Sequence, residues 1–173
     1  ALNSLNDVIS EADTKDVAAL KKELAKARVI LEKTRPTEPG MRNALHHVLY
    51  QLDGKNALDL AVKLKQRVDH TLDFFKQAEK RIQEFGSNKI HDGMIVYTHC
   101  HSSTVTGILK KAKSMGKDFT VHNTETRPLF QGRKTAEELG AAGIRVTHFI
   151  DAAARIALKK ADVMLIGADA ITS

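Results

Sequence analysis

The single cysteine of the chain, Cys100, lies between two histidines in the stretch YTHCHSSTV, residues 97–105. Cysteine beside histidine can bind a metal, act as a thiol catalyst, or fill a small buried space at a strand end. A zinc site needs several ligands, and neighbouring side chains of a strand point to opposite faces. His99 and His101 could share a face that Cys100 does not join, and no second cysteine exists. The pattern argues against a metal site and leaves the catalytic and the buried thiol as alternatives.

Cys100 is expected where a strand passes into a helix, with Ser102 as a plausible cap of that helix. A helix N-terminus favours negative charge, so a thiolate there could exchange a proton near neutral pH. A second candidate for proton transfer is Asp169, which ends a nearly all-apolar strand two residues after Gly167. A carboxylate in such a small-residue turn can serve as a base. The alternative for Asp169 is an ordinary helix cap or turn residue.

Donors suited to phosphate oxygens cluster in the stretch TETRPLFQGRK. Guanidinium and amide groups pair well with phosphate, and a helix start near Thr135 would add backbone N–H donors. Arg35, in the stretch TRPTEP, offers a further guanidinium from the N-terminal half. Each arginine alone could equally be a surface charge. Neither a GxGxxG nor a P-loop pattern is present. The donors in the first stretch are Arg127, Gln131, Arg133 and Lys134.

The N-terminal half reads as helical. Apolar residues spaced by three and four predict a helix capped by Thr14 or Asp16. The segment RPTEPG breaks this pattern, and MRNALHHVLYQL predicts a shorter helix that Gly54 ends in a left-handed conformation. A long amphipathic helix is predicted from residue 56 to 85. Its apolar face comprises Leu60, Leu64, Val68, Leu72, Phe75, Ala78 and Ile82.

From residue 91 onward short apolar runs alternate with helical stretches. Four strands are predicted in GMIVYTH, DFTVHN, IRVTHFI and DVMLIGAD, with helices in SSTVTGILKKAKSMG, KTAEELGAAG and DAAARIALKKA between them. This alternation predicts a parallel sheet with right-handed crossovers, and strands without strict polar alternation suit a sheet covered on both faces. The expected fold class is α/β, with a helical domain over residues 1–88 and a sheet domain over residues 89–173.

Composition excludes several classes of protein. The 173 residues are 42% hydrophobic, with no run long enough to span a membrane and no signal-peptide layout at the N-terminus. A net charge of +6 allows phosphorylated partners, but the absence of tryptophan and of a basic stripe with aromatics argues against nucleic acid. One cysteine suits a reducing cytoplasm. A sheet that stops at four strands suggests a fragment of a longer protein whose sheet is truncated.

Four motifs occur in order: TRPT at residues 34–37, THCHSS at 98–103, TETRPLFQG at 124–132 and GADAIT at 167–172. Together they resemble the superfamily that unites initiation factor 2B regulatory subunits with two sugar-phosphate isomerases. These isomerases act on methylthioribose 1-phosphate and on ribose 1,5-bisphosphate. The resemblance implies a helical N-terminal domain followed by a Rossmann-like domain, and homo-oligomers such as dimers or hexamers.

In the isomerase branches the cysteine of THC and the aspartate of GAD form the catalytic pair, which implies catalytic roles for Cys100 and Asp169. The form THCHS is more similar to the ribose 1,5-bisphosphate branch. The implied reaction converts ribose 1,5-bisphosphate to ribulose 1,5-bisphosphate in nucleotide salvage, without metal or organic cofactor and with AMP as a plausible activator. The residues expected to bind the sugar phosphate are Arg35, Ser102, Ser103, Arg127 and Gln131.

The chain departs from the family pattern in two respects. It starts after an Arg-Gly-rich phosphate-binding segment and stops before an Asn and a Lys that complete the site, so these 173 residues alone are expected to be inactive. RPTEPG also differs from the more frequent RPTAV, which weakens the assignment of Arg35. The alternatives are a regulatory subunit in translation initiation and a methylthioribose-1-phosphate isomerase.

Overall fold

The structure is a computed structural model that describes residues 1–171. The chain divides into two compact units. The first comprises Ala1–Lys76 together with the described residues from Asp169 onward, and the second comprises Gln77–Ala168. This division falls inside the long helix, earlier than the expected domain boundary at residue 88, so that boundary stays a prediction.

The first unit is helical. Its core is formed by leucine and valine side chains that recur every three or four residues along the helices, as the apolar spacing predicted. Among them Leu5, Leu45 and Leu60 are fully buried. The helices are α1 (Leu2–Ser10), α2 (Val17–Thr34), α3 (Pro39–Leu49) and α4 (Ala57–Asn88), of which α4 continues into the second unit.

Capping decides where α2 begins. Of the two proposed caps, Asp16 is the one used, because its carboxylate accepts the backbone N–H groups of Ala18 and Ala19. Thr14 instead accepts the backbone N–H of Asp16 through its hydroxyl. Helix α1 was not predicted, because its sequence LNSLNDVIS is largely polar and buries few residues, chiefly Leu2 and Leu5.

The expectation for Gly54 is wrong. Helix α3 ends at Leu49, and the left-handed residue that follows it is Gln51, with φ of 47°. Gly54 is needed for a different reason. A Cβ at this position would lie 2.6 Å from the backbone nitrogen of Leu60, so only glycine allows the connection to pass this close to the start of α4.

The apolar face predicted for α4 is buried only along part of the helix. Leu60, Leu64 and Val68 are fully buried in the core of the first unit. Further along, Phe75 and Ile82 are 46% and 48% exposed, because the residues of the first core no longer cover them. The helical period was therefore predicted correctly, whereas the extent of burial was not.

The second unit is a four-stranded parallel sheet with helices between the strands. Its strand order is β3-β2-β1-β4, and every neighbouring pair is parallel, which confirms the predicted α/β class. Strand β1 lies in register with β2 from Ile95 opposite Thr120 to His99 opposite Thr124. The elements are β1 (Ile95–His99), α5 (Ser103–Ser114), β2 (Thr120–Thr124), α6 (Gln131–Ala141), β3 (Arg145–Phe149), a 3₁₀ turn (Asp151–Ala153), α7 (Ala154–Lys159) and β4 (Val163–Met164).

Burial differs between the inner and outer strands. Residues of β1 and β2 are mostly buried, as expected for a sheet covered by helices. Val96 of β1 and Val121 of β2 belong to the same buried core as Leu109 of α5. Strand β3 is mostly exposed because it lies at the sheet edge, so the expectation of cover on both faces is wrong there. Strand β4 is also shorter than the predicted segment.

Among the residues that the structure describes, none of the helices combines the length and the apolar character needed to cross a membrane.

Candidate active site

The polar residues beyond the strands meet at one edge of the sheet. Since all neighbouring strands are parallel, their carboxyl ends lie at the same edge. Cys100 follows β1, Thr126 lies in the loop after β2, and Asp151 begins the turn after β3. The chain order reverses direction across the β1–β4 pair, and open α/β sheets bind ligands in the crevice at such a switch point. The edge beyond β1 is therefore the candidate site.

Cys100 is held at three points. Its backbone is in the left-handed region, with φ of 66°, which is uncommon for a residue other than glycine. Its N–H donates to the hydroxyl oxygen of Thr126 at 2.9 Å, and its carbonyl accepts the hydroxyl of Thr135 at 2.9 Å. Its thiol donates to Oε1 of Gln131 at 3.1 Å. The thiol is half-buried and its direction is fixed by these partners.

Helix α6 carries Gln131 to the thiol. The helix begins at Gln131 rather than near Thr135, because Phe130 adopts a left-handed conformation and turns the chain into the helix. The N–H of Gly132 donates to the carbonyl oxygen of Glu125 at 3.2 Å. A Cβ at Gly132 would collide with the carbonyl oxygen of Thr124, so the helix start packs directly on the end of β2.

Two arginines share a carboxylate beside this helix start. Nε of Arg127 lies 2.9 Å from Oε1 of Glu125, and Nη2 of Arg133 lies 3.6 Å from Oε2. Both guanidinium groups also lie over the ring of Phe130, at 5.2 and 4.0 Å from its centre. The hydrogen bond from Arg127 is the main reason that the pKa of Glu125 lies below its usual value. Arg127, expected to bind phosphate, is thus oriented by Glu125 while its side chain remains 68% exposed.

Asp151 binds the loop after β2. Its two carboxylate oxygens accept the backbone N–H groups of Thr126 at 2.8 Å and Arg127 at 2.7 Å. These hydrogen bonds, the one from Arg127 first, hold the pKa of Asp151 below its ordinary value, with smaller contributions from the charges of His99 and Arg127.

The start of α5 forms the other side of the site. Ser102 caps the helix as predicted, with its hydroxyl oxygen accepting the N–H of Val105 at 3.4 Å. Ser103, the first helical residue, is exposed. Gly167, which follows β4, lies so close that a Cβ would be 2.8 Å from Oγ of Ser102. The ends of β1 and β4 are therefore adjacent at the α5 N-terminus, where backbone N–H groups favour an anion.

The two histidines beside Cys100 have separate hydrogen-bond partners. Nδ1 of His99 lies 2.6 Å from the hydroxyl of Thr124, and Nδ1 of His101 lies 3.1 Å from the hydroxyl of Thr135. Within residues 1–171 no group of three or more histidine, cysteine, aspartate or glutamate side chains is arranged to hold a metal ion.

Two expected site residues belong to the first unit. Arg35 follows the end of α2, is 68% exposed, and pairs with Glu38 at 2.6 Å. Asp169 lies in an exposed bend after β4. The other five expected residues, Cys100, Ser102, Ser103, Arg127 and Gln131, lie on the second unit. The functional roles of all seven stay predictions.

Sequence reasoning did not identify the residues that hold Cys100. Thr126 and Thr135 lie within or beside the stretch that suggested phosphate donors, and Asp151 begins the predicted helix DAAARIALKKA, which was given no role in the site. Their position beyond the carboxyl ends of parallel strands was the available signal.

An open parallel sheet with this strand order defines a Rossmann-like α/β protein with a polar edge beyond β1. All of the chain, residues 1–173, matches the model of the Initiation factor 2 subunit family, and the protein belongs to that family. Ribose 1,5-bisphosphate isomerase of Thermococcus kodakarensis is 41% identical over 158 residues, which cover 87% of this chain and 48% of that protein. The enzyme of the same name from Pyrococcus furiosus is also 41% identical, over 88% of this chain and 48% of its own.

Solved structures have the same fold. The crystal structure of translation initiation factor eIF-2B from Pyrococcus horikoshii OT3 matches with a TM-score of 0.86 at 26% identity, covering 98% of this chain and 58% of that one.

A further relative by sequence, a putative methylthioribose-1-phosphate isomerase of Archaeoglobus fulgidus, is 31% identical over 93% of this chain and 51% of its own. The chain spans about half the length of the curated isomerases that it matches.

Proposed function

We propose that the full-length protein is an aldose–ketose isomerase that converts ribose 1,5-bisphosphate to ribulose 1,5-bisphosphate. The observation that carries the proposal is the thiol of Cys100, fixed at the carboxyl edge of the sheet against Gln131. The 41% identity to relatives named as ribose 1,5-bisphosphate isomerases supports the choice of substrate.

The reaction requires four bond changes that balance within the substrate. The C1–O4 bond of the ring breaks, a hydrogen moves from C2 to C1, a C2=O bond forms, and the proton of the C2 hydroxyl is passed to O4. In this proposal Cys100 takes up or delivers the carbon-bound proton, and Asp169 assists ring opening and handles the hydroxyl protons. No step needs an external oxidant or reductant.

Gln131 suits a thiol that changes its protonation state. Its carbonyl oxygen accepts the S–H hydrogen of neutral Cys100 at 3.1 Å. Rotation of the same amide would present an N–H donor to a thiolate, so one side chain can stabilise both forms. An acid–base role for Cys100 requires both forms during one turnover.

The phosphate groups would be bound by donors on both sides of the thiol. Ser102 and Ser103 at the start of α5 offer an anion site beside Cys100, and Arg127 and Gln131 lie on the α6 side. Arg35 is assigned to the phosphates by family resemblance. An AMP activator, a dimeric or hexameric assembly and a cytoplasmic location complete the proposal.

The test is a substrate comparison with purified full-length protein. Ribose 1,5-bisphosphate and methylthioribose 1-phosphate are supplied separately, and ketose phosphate is detected by ¹³C NMR of C1- or C2-labelled substrate. We expect turnover of the bisphosphate with kcat/KM at least about a hundredfold above that of the monophosphate, because one phosphate-binding contact set would be left unfilled. Equal or reversed preference would contradict the substrate assignment.

A regulatory role in translation initiation is the second candidate, and the match to the eIF-2B structure of Pyrococcus horikoshii favours it. Such a subunit would bind a protein and would not need the thiol. Capture of initiation factor 2 by the purified full-length protein, with neither sugar phosphate converted, would support this candidate over the isomerase.

A further inference from the structure

Asp151 lies at the site edge without a role in the proposed reaction. Each of its carboxylate oxygens accepts one backbone N–H, from Thr126 at 2.8 Å and from Arg127 at 2.7 Å. Hydrogen bonds to an ionised acceptor are stronger than those between neutral groups. Asp151, placed at the end of β3, therefore fixes the loop that follows β2.

The same loop holds the reactive thiol. The hydroxyl oxygen of Thr126 accepts the N–H of Cys100 at 2.9 Å, while that hydroxyl itself donates to the carbonyl of Thr124 at 3.3 Å. Thr126 and Cys100 have φ of 60° and 66°, so both adopt the left-handed region that side-chain-bearing residues disfavour. Such conformations persist only where neighbouring groups hold them.

We propose that Asp151 is a positioning residue for Cys100, acting through the backbone amide and the hydroxyl of Thr126. Two hydrogen bonds join three groups in series: the Asp151 carboxylate, Thr126, and the amide of Cys100. Asp151 keeps the thiol in the orientation that meets Gln131, and it does not need to touch the substrate. The inference rests on the proposed function, because it concerns the thiol that would exchange the proton.

The charge state of Asp151 agrees with this role. Its backbone hydrogen bonds from Arg127 and Thr126, together with the charges of His99 and Arg127, lower its pKa below the ordinary 3.8. The carboxylate is therefore ionised at neutral pH, where it accepts both backbone N–H groups.

The test uses three single changes in the full-length protein. Asp151→Asn keeps one oxygen acceptor but places an NH₂ group against the other backbone amide. Thr126→Val keeps the β-branched shape and removes the acceptor for Cys100, whereas Thr126→Ser retains the hydroxyl. Asp151→Asn and Thr126→Val should each lower kcat on ribose 1,5-bisphosphate by about tenfold to a hundredfold, with KM changed by less than about twofold. Thr126→Ser should keep the wild-type kcat to within about threefold.

The double variant separates positioning from independent damage. Because Asp151 acts through Thr126, Asp151→Asn combined with Thr126→Val should be no slower than the slower single variant. Losses that multiply, or a raised KM with unchanged kcat, would overturn the proposal. If Asp151→Asn does not fold, the two Thr126 variants provide the test. Thr126→Val must then lower turnover, and Thr126→Ser must keep it.

A second readout does not depend on turnover. The rate at which iodoacetamide alkylates Cys100, followed on its peptide by mass spectrometry, should change by the same factor in Asp151→Asn and Thr126→Val and stay as in wild type in Thr126→Ser. Equal changes of the alkylation rate in these two variants, in a protein without isomerase activity, would uphold the positioning role and reject the proposed function. Asp118→Asn is the matched control, because Asp118 pairs with Arg145 at 2.9 Å near the opposite end of the strands. It should leave both rates unchanged.

Discussion

Cys100 and Asp169 are the residues whose chemistry can be tested most directly. In the full-length protein Cys100→Ser and Asp169→Asn should each lower kcat about a hundredfold to ten-thousandfold, because each removes a proton-transfer group. Turnover of ribose 1,5-bisphosphate measures the loss, and the thermal midpoint checks that the fold is intact. Asp13→Asn, an exposed carboxylate in the N-terminal unit, is the control and should retain the wild-type rate. Wild-type turnover in either site variant would reject the catalytic pair.

Glu125 should make stability depend on pH in the acid range. Its pKa lies below the ordinary 4.5, first because Arg127 donates a hydrogen bond to it. A carboxyl group with a lowered folded pKa contributes stability above its unfolded pKa and loses that contribution as pH falls through the folded value. Glu125→Gln should therefore lower the urea midpoint near neutral pH and lower it much less near pH 3. A difference that stays constant across this range would contradict the assignment.

At the residue scale the sequence singled out the thiol of Cys100 but not the residues that hold it. The sequence placed Cys100 at a strand end and Gln131 among the expected phosphate donors, and the structure brings the thiol within 3.1 Å of the Gln131 amide oxygen. The left-handed φ of Cys100 and the hydrogen bonds that join its backbone to Thr126 and Thr135 were not predicted. They depend on the register of β1 against β2 and on loop geometry, which side-chain types alone do not determine.

Two glycines within one helix give a matched test at the scale of elements. In α6 a Cβ at Gly132 would collide with the Thr124 carbonyl, whereas Gly140 faces open space. Gly132→Ala should destabilise the protein by about 1–3 kcal/mol, since backbone must shift. Gly140→Ala should raise stability by up to about 1 kcal/mol, because alanine favours a helix. Chemical denaturation of both variants measures these changes, and equal effects would show that the close approach at Gly132 has no energetic weight.

The elements themselves followed from simple patterns, with errors at their ends. Periodicity predicted the long helix to within a few residues, and alternating strands and helices predicted the parallel sheet. Gly54 was misassigned because two different needs for glycine, a left-handed turn and a close backbone contact, look the same in sequence. The start of α6 was missed because Phe130, a bulky residue, adopts the left-handed conformation there.

At the scale of the whole molecule, the association of copies of the protein with one another can be measured directly. The second unit exposes large apolar side chains, among them Ile156 at 64% and Ile166 at 56%, and such surfaces commonly mark interaction sites. Light scattering of the full-length protein should therefore give the mass of a homo-oligomer, a dimer or a hexamer. A monomer at micromolar concentration would contradict this expectation.

At Cys100 the proposed chemistry and the left-handed backbone conformation favour different residue types. Catalysis would require sulfur there, but the backbone conformation is best satisfied by glycine or asparagine. A descendant of this chain that no longer used the thiol would gain stability by exchanging it for one of those two residues. Valine or isoleucine would cost the most, since β-branched side chains are least tolerant of this conformation. If evolution removed the need for the thiol, residue 100 would thus change to glycine or asparagine. The backbone conformation, and not the chemistry of the site, would select the replacement.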